Sequence, residues 1–398
     1  MDKPHVLAIN SGSSSIKFSL FNMEDKLNIL FSGEMENIGS QETRLHYTKG
    51  LRNEKGKIDL GLKTFEEGAG YLVDFIFENI EINKVLAIGH RIVQGLHYSE
   101  PEILNPKIID YLKSLIPYDP DHLPGEIRLI ELFSQKFLEG TQIACFDTSF
   151  HTHIPKQAQL FGIPRKFFDK GIKRYGFHGI SYTYLMHELN ILIGNKAQNS
   201  RIILAHLGSG ASLAAIKNGH CQDTSMGFTP NSGLVMGTRT GDLEPGLMTY
   251  LSREEKISME SLNTLFNKES GLLGISQTSS DMRELKKIQA KDYRAQEAIN
   301  LFEYQVKKWI GAYSAVLNGL DILVFAGGIG ENDRECRENI CQGLDYLGLR
   351  LDRAKNSQNE AIISSTESLV SVRVIPTREE WMIAHLVCDK LNIPILGI

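Results

Sequence analysis

Asn10-Ser11-Gly12-Ser13-Ser14-Ser15-Ile16-Lys17 joins two apolar runs through a turn dense in small hydrogen-bond donors. Backbone N–H groups and hydroxyls in such a turn surround phosphate oxygens, and Lys17 adds charge. The same residue types also favour any polar hairpin, so the turn alone leaves phosphate contact and plain structure both open. It is not a Walker A loop, because GxxxxGK[ST] occurs nowhere in the chain. Two further glycine-rich turns follow, His206-Leu207-Gly208-Ser209-Gly210-Ala211-Ser212 and Ala326-Gly327-Gly328-Ile329-Gly330-Glu331-Asn332. The second puts bare backbone after an apolar run, where nucleotides dock, or where a strand simply turns into a helix. It does not fit GxGxxG, which disfavours a dinucleotide.

Arg91, within Gly89-His90-Arg91-Ile92-Val93, falls in or at the end of an apolar strand. A cation there is costly unless it is ion-paired or faces a cavity. Arg239 lies between glycines and hydroxyl residues in Gly237-Thr238-Arg239-Thr240-Gly241-Asp242. Guanidinium groups match carboxylates and phosphates in bidentate geometry, so this pair suits an acid and a phosphoryl group. His178, between Phe177 and Gly179, is a lone histidine, which by itself is more often structural than catalytic. His151 and His153 form an HxH without acidic partners at metal-ligand spacing, which makes zinc a weak reading. No GxSxG elbow occurs, which removes the commonest serine hydrolase reading.

These residues need a scaffold, and the chain has material for one. Of 398 residues 42% are hydrophobic and 23% charged, values of a folded chain large enough for two domains. The net charge of −5, with no basic block, excludes general binding to nucleic acid or anionic membranes. No apolar run reaches membrane-spanning length, and Met1-Asp2-Lys3-Pro4 leads directly into a strand-like segment, so no signal peptide is expected. Cys145, Cys221, Cys336, Cys341 and Cys388 are odd in number and scattered, which reads as reduced thiols in a cytoplasmic protein.

Apolar runs bounded by turn residues predict strands at Val6–Asn10, Ile16–Phe21, Val85–Val93, Gln142–Phe146, Ile202–Leu207, Ser212–Ile216, Asp321–Ala326 and Val372–Ile375. Lys17 alternates with Ile16 and Phe18 and so points away from the apolar face. Helical periodicity predicts helices at Phe65–Glu78, Pro124–Phe137, Tyr182–Ile193, Asp333–Leu347 and Glu379–Leu391. The longest, Ala295–Asn318, has a stripe of Ile299, Phe302, Val306, Trp309, Tyr313 and Val316. The segments beginning at Val6 and Ile202 repeat one outline, strand, Gly/Ser turn, strand, which suggests a duplicated α/β domain with a cleft between the halves.

Together these segments resemble the acetate kinase family, within the acetate and sugar kinase/actin-like ATPase superfamily. The resemblance rests on INSGSSSIK at 9–17, GHRIV at 89–93, FDTSFH at 146–151, RYGFHGIS at 174–181, HLGSGASLAA at 206–215, DTSMGFTP at 223–230, GLVMGTRTGD at 233–242, AGGIGEN at 326–332 and PTREE at 376–380. It implies two RNase H-like domains with mixed sheets flanked by helices. Residues 1–146, completed by a C-terminal helix at 380–398, would form one, and 147–379 the nucleotide-binding other. It also implies a cytoplasmic homodimer that moves a phosphoryl group from ATP, with Mg²⁺ or alternatively Mn²⁺, to acetate or another short carboxylate, giving ADP.

Matching positions assign roles. Arg91 and Arg239 would hold the carboxylate and the transferring phosphoryl group, and His178 would hydrogen-bond to that group, with His122 a second candidate. Asp147, Asn10 and Glu379 would position the metal, and Asn10, Ser13, Ser15 and Lys17 lie along the phosphate path. His206, Gly208, Ser209, Gly210, Gly328, Ile329, Gly330, Glu331 and Asn332 would line the nucleotide, with Asp281, Met282 and Arg283 at the adenosine. Val93, Phe177 and Pro230 would wall the substrate methyl group. A carboxylate acceptor is already ionised at neutral pH, so this chemistry needs no general base, only relief of repulsion between anions.

The resemblance is not uniform. Ser209 replaces a usual Asn, Gln94 and Tyr182 each replace a usual His, Met282 a usual Phe and Arg378 a usual Asn. Pro117-Tyr118-Asp119-Pro120-Asp121-His122-Leu123-Pro124 is a variant of the family's APLHNP, with Asp121 where an apolar pocket residue is expected. A propionate or butyrate kinase, a silent nucleotide-binding relative and a pyrophosphate-using relative are the competing readings.

Overall fold

The computed structural model describes residues 4–12, 15–23, 26–50, 54–138 and 140–395. They divide into two compact units: Met1–Phe150 with Gly179–Tyr184 and Arg378–Ile398, and His151–His178 with Leu185–Thr377.

The first unit is built on β1 (His5–Ser11), β2 (Ser15–Met23), β3 (Leu27–Glu36), β4 (Arg44–Lys49), β5 (Glu54–Asp59), β6 (Val85–Ile92), β7 (Glu102–Ile103) and β8 (Thr141–Phe146). Their order in the sheet is β5-β4-β3-β2-β1-β6-β8-β7, with β1 antiparallel to β2 and parallel to β6. Val6–Ile9 of β1 are buried throughout, because helices cover both faces. Phe65–Asn79 and Leu123–Lys136 close one face over Leu7, Ile9, Phe18 and Phe31. Thr64 starts the former helix with a capping box to Glu67. Helix Glu379–Lys390 lies on the other face against β1 and β6. Its approach depends on Gly89, where a Cβ would stand 2.6 Å from side-chain carbons of both Ile383 and Val387.

The second unit repeats the plan in five strands: β9 (Arg201–Leu207), β10 (Ala211–Lys217), β11 (His220–Thr224), β12 (Ile322–Ala326) and β13 (Ser371–Val374), ordered β11-β10-β9-β12-β13. Again a strand pairs antiparallel with its hairpin partner and parallel with a later strand, β9 with β10 and β12. The echo between the segments at Val6 and Ile202 is therefore a shared topology of mixed sheets flanked by helices.

Each expected strand is present within one or two residues. Strands β3, β4, β5 and β11 escape a hydrophobicity reading because they alternate weakly and are partly exposed. Helix Tyr293–Leu317 buries Ile299, Phe302, Val306, Ile310, Tyr313 and Leu317, but Val316 is 48% exposed. The buried stripe keeps its three-or-four spacing but steps from Tyr313 to Leu317, which turns Val316 outward. The helix expected over Asp333–Leu347 stops at Cys341, where Gly343, at φ +81°, turns the chain into a short 3₁₀ segment. The five cysteines are buried and free, and no described helix is long and apolar enough to cross a membrane.

Candidate active site

In the first unit the site is built where β1, β6 and β8 end together. Arg91 leaves β6 with its side chain 15% exposed and donates from Nε and Nη2 to Asp147 Oδ2, at 2.9 and 2.6 Å. Its Nη1 donates to Asn10 Oδ1 at 3.3 Å and to the Ser11 carbonyl at 3.1 Å. Asp147 is 1% exposed, and its Oδ1 accepts from the Ile180 amide at 3.3 Å. Its own amide donates to Ile92 O at 2.9 Å, which locks the end of β8 to the strand carrying Arg91. Burial opposes the charge on Arg91, yet Asp147 and Glu379 hold its proton well above the ordinary arginine range.

Asn10 bridges this group to the C-terminal helix. Its Nδ2 donates to Glu379 Oε2 and to Glu380 Oε1, both at 2.8 Å. Burial and the neighbouring Glu379 push the Glu380 carboxyl up. Burial would lower the Lys17 ammonium, but Glu34, Glu380 and Glu379 hold it above its ordinary value. Lys17 sits on the open side of β2 with its Nζ 3.6 Å from Glu34. The Ser15 carbonyl accepts from the Gly12 amide at 2.8 Å and closes the hairpin. Ser13 lies outside the described residues.

His122 opens helix Leu123–Lys136, with Nδ1 2.8 Å from Asp119 Oδ1. Four residues on, Glu126 is buried and accepts the Val93 amide on both oxygens, at 3.2 and 3.1 Å. Burial and nearby Asp119 push its carboxyl well up. A cavity of about 460 Å³ is lined by Ser11, Gly12, Phe65, Asp121, His122 and Glu126, among others, so Asp121 does face open volume. Gln94 and Tyr182, two departures from the family pattern, are both fully buried; Gln94 Oε1 accepts from the Leu96 amide.

In the second unit His178 adopts a left-handed conformation, φ 59° and ψ 25°. Its Nδ1 lies 2.8 Å from Ser212 Oγ and its ring stacks on His206 at 4.3 Å. Gly210 makes room for this group: a Cβ there would stand 3.3 Å from His178 Nε2 and 3.8 Å from Arg239 Nη1. Arg239 Nη1 also donates to the Pro230 carbonyl at 3.1 Å. Phe177, buried, presents its carbonyl to His151 Nε2 at 3.0 Å; His151 Nδ1 faces Cys221 Sγ, so this histidine is occupied structurally.

The two remaining glycine-rich turns are neighbours, since Ala326 pairs with His206 where β12 and β9 end. Gly208 and Gly210 close one turn, and the Ser209 carbonyl accepts from the Gly237 amide at 3.0 Å. In the other, Gly327–Asn332 forms a short helix containing Gly328, Ile329 and Gly330. Glu331 Oε1 is spent on the Gly327 and Thr377 amides at 2.9 and 3.0 Å, and Asn332 on the Gly328 carbonyl. Both therefore shape the turn. Asp281 caps helix Met282–Ile288 and pairs with Arg283 at 2.5 Å, which holds its carboxyl below the usual range; Met282 is buried.

Thus Asn10, Arg91, Asp147 and Glu379 form one hydrogen-bonded group, and His178, His206, Gly210 and Arg239 another. Sequence reasoning missed Asp119, Glu126, Ser212 and Glu380. Glu126 had a signal, four residues beyond His122 at helical spacing; Glu380 sat beside Glu379. The first group can hold an anion at Arg91 or a hard cation at its carboxylates, and the second a developing negative charge at the His178 and Arg239 donors.

A family model described as the Acetokinase family matches residues 5–385. Acetate kinase of Thermoanaerobacterium thermosaccharolyticum is 40% identical over 390 residues, covering 95% of this chain and 97% of its own. That of Phocaeicola vulgatus is 40% identical over 401 residues, with 97% and 99% covered. Among solved structures, a propionate kinase from Francisella tularensis superposes with a TM-score of 0.88 at 37% identity, covering 96% of this chain and 98% of that one. The Porphyromonas gingivalis acetate kinase gives a TM-score of 0.86 at 35% identity, with 98% and 99% covered.

Proposed function

The chain belongs to the acetokinase family, and from that premise we propose that it is an acetate kinase, transferring a phosphoryl group reversibly from ATP to acetate to give acetyl phosphate and ADP. The observation that carries the reading is identity of about 40% to acetate kinases along nearly the whole length.

The residue roles follow from the chemistry. Two anions must approach, and donors fixed before reaction reduce that cost most. Arg91 and Arg239 hold the carboxylate and the phosphoryl oxygens. His178, its ring oriented by Ser212, hydrogen-bonds to the group in transfer, with His122 as the second candidate beside it. Asp147 keeps Arg91 charged and aimed. The nucleotide lies along the adjoining turns at Gly208–Gly210 and Gly328–Gly330, with its base toward Asp281–Arg283, and Lys17 and Ser15 lie on the phosphate path. Val93, Phe177 and Pro230 wall the acyl group.

Asn10, Glu379 and Asp147 fit Mg²⁺, because they are hard oxygen donors, and adjacent Glu379 and Glu380 concentrate negative charge around Asn10. No group of three or more His, Cys, Asp or Glu among the described residues forms a metal cage, which suits an ion that keeps waters and takes phosphate oxygens. What Mg²⁺, or Mn²⁺, supplies when bound is neutralisation of phosphate charge. The same reading carries a cytoplasmic homodimer with two RNase H-like domains around a nucleotide cleft, and no nucleic-acid or membrane partner.

A propionate preference has one observation behind it, the likeness to the Francisella propionate kinase, and is no better supported than acetate. Acyl phosphate formation from formate, acetate, propionate and butyrate with ATP·Mg²⁺, trapped as the hydroxamate, decides. Acetate is expected to lead in kcat/KM; a flat response with ATP bound would replace this reading with that of a silent relative.

A further inference from the structure

His122 and Asp119 make a buried pair, with side chains 9% and 4% exposed and Nδ1 2.8 Å from Oδ1. A carboxylate only accepts, so Nδ1 must carry the proton and Nε2 is left as the ring nitrogen that can serve a ligand. The ring borders the cavity it shares with Ser11 and Gly12, and the Ser11 carbonyl is itself bonded by Arg91.

The backbone holds the carboxylate in place. Asp119 follows the 3₁₀ turn Ile116–Tyr118 and donates its amide to Ile116 O at 3.2 Å. Its carbonyl accepts from Leu123 at 3.2 Å, and that of His122 accepts from Glu126 at 3.1 Å. Pro120 and Pro124 stiffen the same stretch. Asp119 Oδ2 is buried with no hydrogen-bond partner among the described residues. Burying a half-paired carboxylate costs stability, and a residue serving only the turn would avoid that cost.

We infer that Asp119 is a positioning residue, which fixes the tautomer and aim of His122 so that Nε2 presents a hydrogen-bond acceptor, to a bound water or protonated oxygen, beside the transfer site. The inference rests on the role proposed above for His122.

Selective ¹⁵N-histidine labelling reads the ring directly. In the wild type the His122 signals are expected to report protonated Nδ1, and in Asp119→Ala to shift toward the Nε2–H tautomer. Kinetically, Asp119→Ala is expected to lower kcat roughly tenfold, as misaimed catalytic groups do, with KM for ATP changed less than twofold. Asp119→Asn, whose amide oxygen still accepts from Nδ1–H, is expected to recover most of that loss. In a His122→Ala background, Asp119→Ala should cost nothing more. Asp119→Ser, too short to reach the ring, replaces the alanine variant if that one does not fold. Unchanged ring signals, an equal kinetic loss in both backgrounds, or full turnover in His122→Ala would each overturn the inference. The spectroscopic result needs no turnover, so it stands apart from a wild-type protein that forms no acyl phosphate from any acid, which would sink the proposed function instead.

Discussion

Arg91 and Asp147 meet through two guanidinium N–H groups on one carboxylate oxygen, while the other oxygen takes the Ile180 amide. Arg91 is thus held by an anion almost wholly removed from water. Removing either partner strands a buried charge, at about 3–5 kcal/mol. Arg91→Ala is therefore expected to lose both turnover, by orders of magnitude, and thermal stability. Arg239→Ala should likewise lose turnover by orders of magnitude. Kinetics of both variants and a melting curve of Arg91→Ala check this, and an unchanged Tm for Arg91→Ala would contradict it.

His178 sits in a left-handed conformation that asparagine adopts more readily than alanine does. His178→Asn is expected to keep the fold and to lower kcat about 100-fold or more through loss of the imidazole donor. Ser212→Ala should lower kcat less, because it frees the ring without removing it. Steady-state kinetics with both variants test the order.

Asn10 separates two adjacent glutamates by donating to each. Asn10→Asp replaces that donor with a third negative charge, so the expected result is a lowered Mg²⁺ requirement together with weaker turnover. Titrating activity against Mg²⁺ reads the change; an unaltered midpoint would remove Asn10 from the proposed metal site.

Glu303 lies on helix Tyr293–Leu317, where burial pushes its carboxyl up to about 7 although Asn339 donates to both oxygens. The folded chain holds this proton more tightly than the unfolded chain, whose value is near 4.5. Stability from this group is therefore complete below that value and is lost as pH rises toward 7. Glu303→Gln should leave Tm almost unchanged at pH 4 and raise it at pH 8, by a gain on the order of 1–3 kcal/mol. Equal effects at both pH values would show that the carboxyl ionises freely.

Local chemistry made much of this protein legible in its sequence. Strands such as His5–Ser11 and Ile322–Ala326 announce themselves because a run buried on both faces must be apolar. The glycine-rich turns are visible because only certain residues turn a chain so tightly, and Arg91 stands out as a cation within an apolar strand. The tertiary structure alone decided the partnerships. Asn10 and Glu379 are 369 residues apart and Arg91 and Asp147 are 56 apart, separations at which no period or spacing carries information. They meet because parallel β1, β6 and β8 end at one level and the C-terminal helix lies against the bare backbone of Gly89. The same holds for Asp119 and Glu126: residue type marks them as acids, and only burial decides that one aims a histidine while the other grips the Val93 amide.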